Sequence, residues 1–158
     1  MDNLTCSFSG HRQIYISHQR ILPKILSETI DSLIDSGVKN FQSGGAVGFD
    51  LLAARLVMEK KASGIDCKLS MILPCREQAA RWPYSARCEY NNILSLADEV
   101  VYISEKYSRF CMHERNRRLV DTSQILLCYL AHDHGGTAHT VNYAVERSKQ
   151  IINIASLL

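Results

Sequence analysis

Ser43-Gly44-Gly45-Ala46-Val47-Gly48-Phe49-Asp50 joins a short apolar run to a helical stripe, and the reading of the fold turns on this segment. Its glycines let the backbone take positive φ and pass close to a neighbour. The helix that follows begins with free N–H groups, which favour an anion. Before the segment, Phe41 and its neighbours read as a strand. After it, Phe49, Leu52, Ala53, Leu56 and Val57 recur at helical spacing, with a stop near Gly64.

The same strand–turn–helix unit recurs outward in both directions. Leu4 to Phe8 reads as a strand, and Ile25 to Ile34 as a helix that Pro23 opens and Gly37 closes. Cys67 to Leu73 is a strand stopped by Pro74, followed by a helix from about Pro83 to Ala97. Val100 to Ile103 is a strand and Glu114 to Val120 a short helix. Ile125 to Leu130 is nearly all apolar, as a central strand buried on both faces requires. Ala138, Val141, Ala144, Val145 and Ser148 form the stripe of a last helix, and Ile151 to Ile154 closes the sheet. About six strands alternating with five helices predict an α/β class: one doubly wound domain over 1–158, with a mostly parallel sheet.

Composition narrows the function. Hydrophobic residues at 46% and charged residues at 22% exclude a disordered polar tail and a coiled coil. Eighteen Lys and Arg against sixteen Asp and Glu leave +2, no excess of the kind that marks a nucleic-acid binder. Nucleic acid is therefore not the expected partner. Nor is a membrane, since the longest uncharged apolar run, Ile125 to Ala131, is far short of the roughly 20 residues a span needs. The opening Met1-Asp2-Asn3-Leu4 is acidic, which argues against an export signal. The six cysteines then read as reduced thiols and the chain as cytoplasmic. The apolar helices of such a domain also permit a homodimer.

Parallel sheets bind ligands beyond the carboxyl ends of their strands, and the unusual residues fall there. Ser9-Gly10-His11-Arg12 follows the first strand, Ser43 to Asp50 the second, Pro74 the third, and Gly135-Gly136-Thr137 the fifth. Gly44, Gly45 and Gly48 would cradle a phosphate, with Gly136 and Thr137 completing the floor. Arg12 is suited to pair a phosphate bidentately, and a surface salt bridge is its other reading. Asp50 either answers the helix dipole or contacts a ribose. The basic run from Glu105 to Arg118 reads first as a solvated face, with Arg115 and Asn116 nearest the crevice. Cys111-x-His113 and His132-x-His134 match no closed zinc motif, so neither metal nor cofactor is expected.

Taken in order, these segments resemble the YpsA-like family of the SLOG superfamily, the Rossmann-like group that also holds DprA/Smf proteins and LOG-type phosphoribohydrolases. The likeness runs over nearly the whole chain: Cys6 to Arg12, Ser43 to Ala54, Leu73-Pro74-Cys75 with Gln78 and Trp82-Pro83, Ala97 to Tyr102, Cys111 to Asn116, and Gly135 to Ala138. The resemblance implies strand order 3-2-1-4-5-6 and a small nucleotide-derived ligand, such as a mononucleotide or an ADP-ribose-like molecule. It leaves two other functions in play, DprA-like single-stranded DNA binding and LOG-like phosphoribohydrolase activity. LOG enzymes carry P-G-G-x-G-T-x-x-E; here the glycine spacing is shorter and Thr140 stands where that carboxylate would be. Asp50 is then the candidate acid if a glycosidic bond is split at all.

Overall fold

The computed structural model describes residues 3–158; the acidic opening at Met1 and Asp2 lies outside them. Strands β1 (Leu4–Gly10), β2 (Val38–Ser43), β3 (Lys68–Leu73), β4 (Glu99–Tyr102), β5 (Ile125–Tyr129) and β6 (Gln150–Asn153) form one sheet in which every pairing is parallel. Helices α1 (Ile16–Gln19), α2 (Leu22–Asp35), α3 (Phe49–Ala62), α4 (Tyr84–Leu96), α5 (Cys111–Asp121) and α6 (Gly136–Glu146) connect them, and a 3₁₀ turn closes the chain at Ile154–Leu157. The single α/β domain expected from the sequence is the one observed.

The helices form where their apolar positions repeat. Leu22, Leu26, Ile30 and Leu33 are the buried stripe of α2, with proline in its first turn. These residues, with α3 and with Tyr90 and Ile93 of α4, cover one face of the sheet over Phe8, Phe41 and Leu127. Val120, Leu126, Cys128 and Ala144 make a smaller core under α5 and α6 on the other face.

The strand order differs from the one the resemblance implied. The sheet runs β4-β3-β2-β1-β5-β6, so β4 lies outside β3 and β5 takes the place beside β1. The reason is burial. All five residues of β5 are buried, whereas Glu99 of β4 is exposed and the other three are half-buried, which suits an edge. Right-handed crossovers then put α2, α3 and α4 on one face while the chain steps from β1 out to β4. They put α5 and α6 on the other as it steps back through β5 to β6. The reversal point, where such sheets bind ligands, falls between β1 and β5.

Candidate functional site

A cleft of about 840 Å³ opens at this reversal point, within the size range of small-molecule sites. Ser9 to Ser17, from the end of β1 onward, form one wall. His132, His134, Gly135, Gly136 and Thr137, after β5, form the other, and Asp50, Met112, Arg115 and Asn116 lie at its floor and side. Ten of the fifteen residues singled out in the sequence meet here: Ser9, Gly10, His11, Arg12, Asp50, Arg115, Asn116, Gly135, Gly136 and Thr137.

Ser43, Gly44, Gly45, Gly48 and Pro74 do not line it. Around the Ser43 to Gly48 turn, expected to cradle a phosphate, protein atoms fill the space its glycines leave. A Cβ on Gly44 would come within 2.7 Å of Arg115 Nη1, and one on Gly45 within 3.0 Å of Leu73 in the core. At Gly48, with φ +96°, a Cβ would run into the carbonyl of Arg12. Ser43 Oγ donates to the Asp50 carbonyl (2.9 Å) and accepts from the Gly45 N–H (3.2 Å), closing the turn on itself. Pro74 is buried, and its carbonyl accepts from the Ser104 N–H.

Arg115 holds the turn from the opposite face of the sheet. It is 5% exposed, and its Nη1 donates to the Gly44 carbonyl (2.6 Å) and to Gln78 Oε1 (3.2 Å). Its Nε donates to Asn116 Oδ1 (2.8 Å). The other basic residues of the run, Lys106, Arg109, Arg117 and Arg118, are exposed, as a solvated face should be. Arg12 is exposed at the cleft and forms no salt bridge among the described residues.

Asp50 is the only carboxylate lining the cleft among the described residues; Glu114, the other acid expected near it, is exposed and does not line it. Asp50 is 6% exposed, and its Oδ1 is buried without a hydrogen-bond partner. Burial pushes its pKa from 3.8 to about 6, although the Arg115 charge and the N–H groups of Gly10 and Ala46 pull the other way. The sign of the consequence follows. Between about pH 4 and pH 6 the folded chain binds more protons here than the unfolded chain, so stability falls as pH rises through that window. The ionised carboxylate costs at most about 3 kcal/mol at neutral pH. Asp50→Asn is therefore expected to raise the melting temperature at pH 7 and leave it unchanged near pH 4. Parallel melting curves across that range measure it, and equal melting temperatures at pH 7 would refute the penalty.

His11 is the inner member of an aromatic wall. Its Nε2 accepts from the Ala131 N–H (2.9 Å), so the neutral ring carries its proton on Nδ1. Burial, then His132 and His134, lower its pKa to about 4. The rings of His11 and His132 stack at 3.7 Å, and those of His132 and His134 at 4.0 Å. Sequence reading missed this stack, considering His132 and His134 only as metal ligands. No group of three or more His, Cys, Asp or Glu among the described residues is arranged for a metal ion. Also missed was the wall from Gln13 to Ser17. Its signal was length: eleven residues separate Gly10 from the next long helix, where such loops usually take 2–6.

The open glycines lie on the far wall. Gly135, at φ +93°, precedes α6, and neither it nor Gly136 has any atom within 4 Å of a would-be Cβ. No side chain caps α6, so its first N–H groups lack partners from the helix. Thr140 Oγ1 donates to the Gly136 carbonyl (2.9 Å), spent within the helix.

Residues 11–156 match the family model described as the YspA SLOG family (YpsA). A UPF0398 protein of Halalkalibacterium halodurans is 29% identical over 150 residues, covering 90% of this chain and 79% of the relative. The SPbeta prophage-derived protein YoqJ of Bacillus subtilis is 24% identical over 79% of this chain and 80% of its own length. Among solved structures, DNA processing protein A (DprA) of Streptococcus pneumoniae matches 94% of this chain with a TM-score of 0.70 at 16% identity. The Helicobacter pylori DprA, studied for its single-stranded DNA binding mode, matches 94% with a TM-score of 0.68 at 19% identity. This chain spans about half the length of the first (49%) and 63% of the second. At those identities the likeness is one of fold. No helix is long and apolar enough to cross a membrane among the described residues.

Proposed function

Because this chain belongs to the YspA SLOG family, we propose that it binds a small nucleotide-derived ligand, a mononucleotide or an ADP-ribose-like molecule, in the cleft between β1 and β5. The observation that carries this reading is the buried, unpartnered Oδ1 of Asp50 in a cleft whose far wall is the uncapped start of α6. A buried acceptor without a donor is costly, and a ribose hydroxyl supplies the donor. The N–H groups from Gly136 onward take the phosphate, and Arg12 offsets its charge. The protein works in the cytoplasm as a binding or sensing domain. Thr140 offers no carboxylate in the LOG position, so splitting of the glycosidic bond would fall to Asp50.

Mass spectrometry of small molecules that co-purify with the protein identifies the ligand. At a hundred times its Kd, that ligand should add about 2.7 kcal/mol of stability. Gly136→Val keeps the fold, because its Cβ meets open space, and is expected to abolish that gain. A full gain in a folded Gly136→Val protein would remove the α6 terminus from the site.

The DprA likeness favours a second reading, single-stranded DNA binding, and the exposed Tyr107 and Phe110 beside Lys106 and Arg109 are the residue types it uses. Its mark is salt: affinity for oligothymidylate would fall steeply between 50 and 200 mM, roughly as the power of the phosphates neutralised. Affinity for a mononucleotide at the cleft would change little.

A further inference from the structure

The histidine stack has one open end. His11 is buried against Tyr129, and His132 is sandwiched between His11 and His134. The His132 Nδ1 is itself buried without a hydrogen-bond partner, so stacking rather than hydrogen bonding holds the middle ring. His134 ends the series. Its side chain is 78% exposed and lines the cleft, and its outer face meets no other ring among the described residues. It stands two residues before Gly136, where the free N–H groups of α6 begin. Their Cα atoms are at most about 7.6 Å apart, a separation that the base and phosphate of a single nucleotide can bridge.

We infer that the outer face of His134 is the nucleobase subsite: the ligand's heteroaromatic ring becomes the fourth layer of the stack, while its phosphate meets the start of α6. The inference rests on the function proposed above and names the part of the ligand that this wall selects. Every nucleobase has a π-face, so recognition by stacking tolerates changes of base. It discriminates sharply against a sugar phosphate that has none. The open end takes one ring, and Asp50 and Arg12, which also line the cleft, are left for the ribose and phosphate.

The test compares AMP, CMP and ribose 5-phosphate by calorimetric titration of the wild type, His134→Ala and His134→Phe. His134 is exposed, so both variants should keep the native circular-dichroism spectrum. In the wild type, both nucleotides should bind at least about tenfold more tightly than ribose 5-phosphate, the factor expected of one stacked base. His134→Ala should lose that factor for AMP and CMP alike without weakening ribose 5-phosphate, and His134→Phe should restore it. In nuclear magnetic resonance spectra, AMP should shift the His134 ring protons upfield. Equal nucleotide affinity in the wild type and His134→Ala would overturn the subsite while leaving the phosphate site standing. Failure of all three ligands, and of ADP-ribose, to bind the wild type at millimolar concentration would overturn the proposed function and the subsite with it.

Discussion

Arg115→Ala is expected to cost about 3–5 kcal/mol at neutral pH, because each acceptor that loses its donor costs roughly 1–3 kcal/mol. The substitution strips the Gly44 carbonyl and Gln78 of their donor and leaves the Asp50 carboxylate without the positive charge that acts on it most strongly. Two signatures separate this from a simple cavity. First, the loss should shrink as pH falls below the Asp50 pKa, because the protonated carboxyl no longer needs a counter-charge. Second, the double variant with Asp50→Asn should recover part of the loss at pH 7, since neutralising Asp50 removes the charge Arg115 was balancing. Urea titrations of the four proteins at pH 7 and pH 5 give both quantities. A loss independent of pH, with no coupling to Asp50, would show that Arg115 acts by packing alone.

The second large effect belongs to Gly48→Ala. The new methyl group must be carried at φ +96° and pushes against the Arg12 backbone. The first costs roughly 1–3 kcal/mol and the second a further 1–3 kcal/mol of displaced structure, together about 4 kcal/mol. That is a large share of the 5–15 kcal/mol by which domains are stable. The urea midpoint should fall with little change in slope. Gly136→Ala serves as the control, because its Cβ meets nothing within 4 Å and should change stability by less than about 0.5 kcal/mol. A Gly48→Ala loss below about 1 kcal/mol would mean that the Arg12 loop yields freely.

These two residues also show what the sequence makes legible. Residue type alone reveals that Gly44, Gly45 and Gly48 stand at crowded positions, but not what crowds them. Here it is Arg115, the core and the Arg12 backbone. Asp50 was legible as a cleft acid because its place in the first turn of α3 follows from the local pattern. The histidine stack was not, since His11 and His132 are brought together only by the pairing of β1 with β5. Strand order is likewise non-local. Even so, Glu99-Val100-Val101-Tyr102 carries a charge and Ile125-Leu126-Leu127-Cys128-Tyr129 carries none, and that contrast distinguishes an edge strand from a central one.

The pairing of β1 with β5 also sets a timetable during synthesis. Gly10 is made well before its partner strand, which begins only at Ile125. At roughly 5–20 residues per second that interval is about 6–23 s, during which β1 to β4 can assemble while one edge of β1 stays unpaired. Such an edge is an invitation to pair with other chains. The two walls of the cleft are therefore made at opposite ends of that interval. A ligand can have no hand in assembling the nascent sheet; it can only hold the finished molecule closed.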